Sequence, residues 1–149
     1  MNKQEISKRV LQNGKPLSLD KFTWDNKTRT FSSKEKSLMI DFKGIDNCTF
    51  NTGSDCTFNT YSYCTFNTGS VCTFNTGSYC TFKTYSDCTF KTGLGCTFDI
   101  WMIGYIHNNT QNNVVIIRNL MTKTIYDLDT QPEQFLRLSI NDIKVIECL

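Results

Sequence analysis

Seven consecutive copies of one eight-residue unit dominate the chain and limit what it can fold into. From Cys48 they read CTFNTGSD, CTFNTYSY, CTFNTGSV, CTFNTGSY, CTFKTYSD, CTFKTGLG and CTFDIWMI. Fixed-period repeats are typical of solenoids, in which each unit buries its apolar face only against its neighbours. A spacing of eight, with Thr, Asn and Gly between the apolar positions, gives no stripe near the helical period of about 3.6. The repeat therefore predicts stacked strands.

The columns of the octad predict which side chains face inward. The first three positions are always Cys, Thr and Phe, whereas the fourth takes Asn, Lys or Asp. Side chains alternate along a strand, so Cys, Phe and the fifth-position Thr share the face that favours burial. The sixth position is Gly or Tyr, and glycine's tolerance of positive φ predicts a turn there. Tyr61 and Tyr85 at this position indicate that the corner is not always a glycine-type turn.

Octads stacked in register predict an all-β fold, a parallel β-solenoid (β-helix) with a Phe ladder and a Cys ladder inside. Two octads per coil would give a flat, two-sheeted coil of about sixteen residues, and three a triangular coil of about twenty-four. The spacing between Tyr61 and Tyr85 favours three. We prefer two, because Phe packed against Phe or Cys fills a narrow interior without a void.

The octad phase extends beyond the perfect copies. Ile40 and Phe42 lie eight residues before the first Cys and Phe of the repeat, which predicts a degenerate first unit with Ile40 in the Cys column. Gly104 and Ile106 continue the phase at the other end, with Gly for Cys and Ile for Phe. Atypical terminal repeats are expected in a solenoid, because they cover the open ends.

These patterns divide the chain into residues 1–37, an N-terminal arm and hairpin cap, residues 38–106, the octapeptide solenoid, and residues 107–149, a small C-terminal β cap. We expect one cooperative unit. Residues 1–15 suggest a short helix or a loose arm, and the turn residues Asp25-Asn26-Lys27 a hairpin. The runs VVIIRNL, KTIYDL, FLRLSI and IKVIECL predict the closing sheet. Trp24 and Phe31 either cover the first coil or, in the case of Trp24, contact a partner.

Eight cysteines could suggest disulfides, but the start MNKQEISKRVLQNGK lacks the apolar run of a secretory signal. No stretch is long enough to span a membrane, so we expect no membrane partner. A cytoplasmic location is expected, where thiols stay reduced and would here be buried structural groups. CxxC pairs with His partners are absent from the sequence, so no metal and no cofactor is expected.

Charge and motifs argue against most enzymatic or nucleic-acid functions. The net charge is +2, and residues 1–47 carry ten Lys or Arg against six acids. Direct nucleic-acid binding through this basic segment stays open as a weaker alternative. The sequence has no nucleophile–base pair, no paired carboxylates and no phosphate-binding glycine loop, and its single His107 stands alone. We therefore expect no catalytic residues.

The CTFNTG octads resemble those of octapeptide-repeat, pentapeptide-repeat-like β-solenoid proteins from phages and low-GC bacteria, over about residues 38–106. The resemblance carries no catalytic motif and transfers no site residues. It implies a phage protein that acts in the cytoplasm of a bacterial host. An anti-defence inhibitor of a host protein, such as a CRISPR effector, is the function that this implies.

A rigid solenoid with tyrosines at its corners predicts a non-enzymatic protein-binding module, since Tyr is enriched at interfaces. The candidate partner-binding residues are Tyr61, Tyr63, Tyr79, Tyr85, Lys83, Lys91, Trp24, Lys27 and Arg29. In the alternative interpretation the tyrosines stack on each other and bind nothing. A homo-oligomer is compatible with the sequence.

Two other classes of function remain. Ice or surface binding would use the outward threonines at the second octad position, which are Thr49, Thr57, Thr65, Thr73, Thr81, Thr89 and Thr97. Charged residues at the fourth position, Lys83, Lys91 and Asp99, interrupt the companion column, and Thr suits a strand without any function. A purely structural or adhesive repeat protein is the other alternative.

Overall fold

The structure of the chain is a computed structural model that describes residues 1–85 and 87–98 with their side chains. It describes the backbone of residues 99–100, 104–108, 113–119, 124–130 and 135–137. These residues form one short helix, α1 (Lys3–Arg9), and otherwise strands. The strands are β1 (Val10–Gln12), β2 (Lys15–Pro16), β3 (Thr23–Asp25), β4 (Thr30–Ser32), β5 (Leu38–Asp41), β6 (Thr49–Asn51), β7 (Thr57–Asn59), β8 (Thr65–Asn67), β9 (Thr73–Asn75), β10 (Thr81–Thr84), β11 (Cys88–Thr92), β12 (Thr97–Ile100), β13 (Gly104–Asn108), β14 (Asn113–Asn119), β15 (Thr124–Thr130) and β16 (Phe135–Arg137).

Successive octads lie alternately in two sheets. Sheet A has the order β16-β13-β11-β9-β7-β5-β1-β2 and sheet B the order β15-β14-β12-β10-β8-β6-β4-β3. Each octad strand pairs in parallel with the strand two octads on, so that Phe50 lies beside Phe66 and Phe66 beside Phe82. The chain is therefore a parallel β-solenoid of about four turns with coils about 16 residues apart. The all-β solenoid and the preference for two octads per coil are confirmed, and the three-octad alternative is wrong.

The phenylalanines fill the space between the sheets as two interlocking columns. Within a column the rings stack in parallel and offset, as for Phe66 and Phe82, whose centroids are 4.9 Å apart with planes 5° apart. Between columns they meet edge to face, as for Phe66 and Phe74 at 5.2 Å and 73°. Both geometries are favourable for aromatic quadrupoles. All seven octad phenylalanines are fully buried, which confirms the predicted inward column; they are Phe50, Phe58, Phe66, Phe74, Phe82, Phe90 and Phe98.

The cysteines flank the phenylalanines as two ladders of buried free thiols. One consists of Cys48, Cys64, Cys80 and Cys96, and the other of Cys56, Cys72 and Cys88. Of the fifth-position threonines, Thr60, Thr68, Thr84 and Thr92 are buried, whereas Thr52 and Thr76 are half-buried. The predicted assignment of octad positions to the two faces is therefore confirmed.

Hydrogen bonds between neighbouring thiols couple their ionisation. The bond with Cys64, followed by burial, raises the pKa of Cys48, and the same bond lowers the pKa of Cys64. A bond with Cys56 lowers the pKa of Cys72, but the bond with Cys88 and burial outweigh it and raise that pKa to about 11. A charge on one thiol thus disfavours a charge on the next, and burial opposes all of them.

We expect the seven octad cysteines to resist a thiol reagent in the native protein and to react fully after unfolding. The physical reason is access, because none of them is more than 1% exposed, and a thiol reacts as an accessible thiolate. Mass analysis of alkylated protein with and without denaturant measures this. Three or four stoichiometric disulfides under non-reducing conditions would contradict the expectation of reduced thiols.

The corners between strands differ from the predicted glycine turn. Positive φ occurs at the eighth octad position, in Asp55, Tyr63, Val71, Tyr79 and Asp87, and not at the glycines of the sixth position. Those glycines instead let the chain pass close to the preceding coil. A Cβ on Gly69 would lie 2.8 Å from the backbone nitrogen of Ser54, and one on Gly77 would lie 2.9 Å from that of Ser62.

The N-terminal end is closed by antiparallel strands on both sheets. In sheet B, β3 and β4 form the predicted hairpin, and β4 then pairs in parallel with β6, which places Phe31 beside Phe50. In sheet A, β1 pairs with β2 and β5 in antiparallel fashion. Helix α1 begins at a capping box formed by Asn2 and Glu5, which confirms a short helix rather than a loose arm.

The predicted register of the first unit is wrong. Ile40 pairs with Phe58 and so occupies the Phe column, while Leu38 precedes it at the position of the Cys column. The separation between Ile40 and Phe58 is 18 residues, because the connection after β5 is longer than an octad corner. Phe42 is buried beyond the end of β5 and meets Phe50 edge to face at 5.0 Å.

The C-terminal strands continue the two sheets instead of forming a separate one. Strand β13 pairs in parallel with β11, with Gly104 beside Cys88 and Ile106 beside Phe90, as the octad phase predicts. Strand β14 pairs in parallel with β12, and β15 and β16 add antiparallel strands to sheets B and A. The predicted run IKVIECL and Cys148 lie outside the described residues.

Candidate protein-binding edge

The flat solenoid has two long edges where the chain passes from one sheet to the other. We call residues 61–63, 77–79 and 93–95, which follow the sheet A strands, the tyrosine edge. Residues 53–55 and 69–71, together with Tyr85 and Asp87, follow the sheet B strands and form the opposite edge. The nine residues of the tyrosine edge include no charged residue, whereas the opposite edge carries Asp55 and Asp87. The two edges are therefore chemically different although both are built from octad corners.

Tyr61, Tyr63 and Tyr79 lie together on the tyrosine edge, about half exposed at 50%, 55% and 49%. The rings of Tyr63 and Tyr79 stack at 5.2 Å with planes 14° apart. The Tyr79 ring in turn covers Gly95, since a Cβ built there would lie 2.7 Å from its Cδ1. Leu94 is also exposed on this edge. The result is an uncharged strip with ordered aromatic rings.

The two stacked tyrosines occupy a backbone conformation that disfavours them. Tyr63 and Tyr79 have φ of 57° and 55°, in the left-handed region that Gly, Asn and Asp adopt more readily. The opposite edge has Asp55, Val71 and Asp87 at the same octad position, and the next copy on the tyrosine edge has Gly95. Because Val71 is also left-handed, this conformation belongs to the octad corner in general, and what distinguishes the tyrosine edge is the stack of two rings.

The structure divides the other candidate residues among several surfaces. Tyr85 lies on the opposite edge and is 55% exposed. Lys83 is exposed on sheet B and Lys91 on sheet A. The predicted set does not therefore form one site.

The N-terminal candidates belong to the cap. The ring of Trp24 lies 6.0 Å from that of Phe42, and its indole N–H donates to the carbonyl oxygen of Met1 at 3.1 Å. This contact agrees with the interpretation of Trp24 as a cover over the first coil. Lys27 is exposed in the β3–β4 hairpin turn, where its backbone N–H donates to Asp25 at 2.8 Å, and Arg29 is half-buried beside it.

The outer faces of both sheets carry regular rows of polar side chains. Thr57, Thr73 and Thr89 are in register on sheet A. On sheet B the amide of Asn67 donates to Asn51 at 2.8 Å, so these amides bond to each other along the solenoid axis. The faces are therefore polar, periodic and partly saturated with their own hydrogen bonds.

The described residues offer little for catalysis or metal binding. No group of three or more His, Cys, Asp or Glu among them is arranged to hold a metal ion. A depression beside α1, lined by Met1, Glu5, Lys8 and Arg9, is open to solvent and pairs no nucleophile with a base. In the part of the chain that is described, no helix has the length and apolarity to cross a membrane.

Sequence reasoning grouped four tyrosines that the fold separates. With two octads per coil, residues sixteen apart share an edge, as Tyr63 and Tyr79 do, and residues twenty-four apart, such as Tyr61 and Tyr85, lie on opposite edges. Leu94 was missed, although it replaces the Ser of the seventh position on the same edge. The spacing in octads is the signal that would have found this arrangement.

Comparison with known proteins adds no family to this description: no protein-family model, no curated protein and no solved structure matches the chain.

Proposed function

We propose that the chain is a non-enzymatic protein-binding module and that the tyrosine edge is its contact surface. The observation that carries the proposal is the stacked, half-exposed pair Tyr63 and Tyr79. Tyr contributes a large contact area with few rotatable bonds, which makes it frequent among the residues that dominate binding energy. The stack fixes both rings before binding, so little conformational entropy remains to be lost.

The surroundings of the two rings also suit a protein interface. Leu94 extends the strip with apolar surface. An uncharged centre is typical of interface cores, which are depleted in charged residues. The coils behind the edge are held by the buried Phe columns, so the surface is rigid.

Replacing the three edge tyrosines tests this function. We expect the triple variant Tyr61→Ser, Tyr63→Ser and Tyr79→Ser to fold and to lose protein binding, because these half-exposed rings contribute little to the core. The matched control is Tyr85→Ser, which removes an equally exposed ring from the opposite edge. Retention from a bacterial lysate supplemented with a differently tagged copy of the chain measures binding, and circular dichroism measures folding.

The possible results show whether the tyrosine edge or another surface makes the protein contact. A protein retained by the native chain and by Tyr85→Ser but lost from the triple variant agrees with the proposal. Equal retention by all three would place the contact elsewhere. Charge reversal at Lys27 and Arg29 then tests the N-terminal basic segment, whose binding should weaken with salt.

The identity of a host partner rests on the sequence resemblance alone. The likeness to repeat proteins of phages extends the proposal to inhibition of a defence protein, such as a CRISPR effector, in the bacterial cytoplasm. The basic surplus in residues 1–47 gives such a partner a complementary surface if it is acidic.

Ice or surface binding is the second candidate, and the in-register Thr rows on the two sheets are the observation in its favour. It would use the faces and not the edge. Thr73→Lys, in the middle of the sheet A row, should then abolish ice-crystal shaping by the purified chain, while the triple tyrosine variant should retain it. Absence of crystal shaping by the native chain removes this candidate.

A further inference from the structure

We propose that the protein bound by the tyrosine edge is a second copy of the same chain, related by a two-fold axis perpendicular to the solenoid. This rests on the proposed function, in that it takes the edge to be a protein contact, and it names the partner. The two solenoids lie side by side and run in opposite directions. The contact is isologous, so each copy offers the same surface to the other.

The order of corners along the edge makes it complementary to its own reversed copy. Backbone hydrogen bonds stack Asn47, Tyr63 and Tyr79 in one column, with the N–H of Tyr63 donating to the carbonyl of Ser78 at 2.9 Å. Neighbouring coils are about 4.8 Å apart along this column. A two-fold axis midway between Tyr63 and Tyr79 places Tyr63 of one copy against Tyr79 of the other. The same contact then occurs twice in the dimer.

The same axis places a tyrosine at the sixth octad position of one copy against a glycine at the sixth octad position of the other. Tyr61 protrudes on the coil of Tyr63, and Gly77 occupies the equivalent position on the coil of Tyr79. In the reversed copy Tyr61 therefore faces the gap above Gly77, and this happens twice in the dimer. A two-fold axis parallel to the solenoid would instead bring the sixth position against the eighth, so that Tyr61 meets Tyr63 of the second copy on one coil while Gly77 meets Tyr79 on the other, and the two coils could not approach equally. Shape selects the antiparallel arrangement.

Charge distinguishes the tyrosine edge from the opposite edge as a dimer contact. In an isologous contact the charges of a surface lie against the same surface of the second copy, turned by the two-fold axis. A strip without charges therefore has no electrostatic repulsion against its own copy. The same operation centred on Val71 of the opposite edge would bring Asp55 against Asp87. Asp46, in the corner one coil before the tyrosine edge, would face Leu94 of the second copy and no like charge. Self-association is therefore expected through one edge.

The narrowness of the strip limits the strength of this dimer. Three half-exposed tyrosines and one leucine bury less than the roughly 1,200–2,000 Å² of a standard interface, so the contact belongs to the small class. A dissociation constant in the micromolar range, on the order of 1–100 µM, is expected. The dimer should be reversible on dilution.

Sedimentation velocity of the purified full chain, from about 1 to about 500 µM, measures this association. We expect a concentration-dependent shift from monomer to dimer that Tyr85→Ser leaves unchanged. The double variant Tyr63→Lys with Tyr79→Lys should lose the dimer, because it places like charges across the axis. The double variant Tyr63→Lys with Tyr79→Glu should recover it in a salt-sensitive way, since opposite charges then meet twice.

The outcomes test the second-copy proposal separately from the proposed protein-binding function. A native chain that stays monomeric up to the highest concentration overturns the second-copy proposal. If tyrosine-dependent capture of a different protein persists in that case, the proposed function stands without it. A dimer that survives in the Lys/Lys variant places the dimer contact elsewhere and overturns the second-copy proposal, while the triple tyrosine variant still tests the proposed function. Recovery by the Lys/Glu variant supports the antiparallel arrangement, whereas loss in both charged variants contradicts it.

Discussion

A chain with one extra octad between Tyr63 and Cys64 is expected to fold and to lose association through the tyrosine edge. The two sheets are built from the same octad, so one added CTFNTGSV unit moves every later octad to the other sheet without changing any Cys, Phe or Thr column. Tyr79 then moves to the opposite edge, while Tyr61 and Tyr63 stay. The stacked pair is divided although no residue has been replaced.

A second insertion provides the matched control. A copy of residues 64–79 placed directly after Tyr79 adds a whole coil, so every later residue keeps its sheet and its edge. This variant retains the stack of Tyr63 and Tyr79 and adds a third tyrosine to it. We expect it to associate at least as strongly as the native chain.

Sedimentation velocity and circular dichroism decide the result. Both variants should show the native β signal and cooperative unfolding, and the one-octad variant alone should remain monomeric. An unfolded one-octad variant would mean that the C-terminal strands depend on their present sheet. Undiminished association of a folded one-octad variant would mean that the tyrosine stack is not the contact.

The repeat allowed the architecture to be predicted because its constraints agree with each other. Cys, Thr and Phe never vary, and the fourth column admits Asn, Lys and Asp, so the alternation of faces follows from strand geometry alone. The preference for two octads per coil followed from the need to fill a narrow interior, which the edge-to-face contact of Phe58 and Phe66 at 5.2 Å satisfies.

The first coil could not be predicted because its inward residues fit more than one register. Leu38, Ile40 and Phe42 alternate, and all three are buried. Alternation alone therefore allows Ile40 in either the Cys or the Phe column. The length of the corner after β5 decides between them, and eight-residue counting assumes that this length is constant. Residues 43–47 form a longer connection in which Gly44 and Asn47 have positive φ.

The site was less predictable than the fold because it depends on which corner each residue reaches. Exposure of the tyrosines followed from the octad, but the stack of Tyr63 and Tyr79 requires both the coil length and the backbone conformation of the eighth position. Glycine at the sixth position suggested that positive φ would occur there. In the structure these glycines lie where a Cβ would clash with the preceding coil. The sequence cannot show this, because it does not show which residues form that coil.

Phe66→Ala should cause a large loss of stability. Phe66 is fully buried, stacks on Phe50 at 5.2 Å and meets Phe58 and Phe74 edge to face. Removing its ring deletes these contacts and leaves a cavity that stacked strands on both sides cannot easily close. The expected loss in the free energy of unfolding is about 3–5 kcal/mol.

Asn67→Ala is the matched control, one residue away on the same strand. Its side chain faces solvent and donates to Asn51 at 2.8 Å, and loss of this exposed hydrogen bond should cost about 0.5 kcal/mol or less. Urea unfolding of both variants, followed by circular dichroism, gives the two values. Since Phe66 lies inside and Asn67 outside in every coil of the repeat, equal losses would contradict the face assignment on which both the Phe core and the outward polar rows depend.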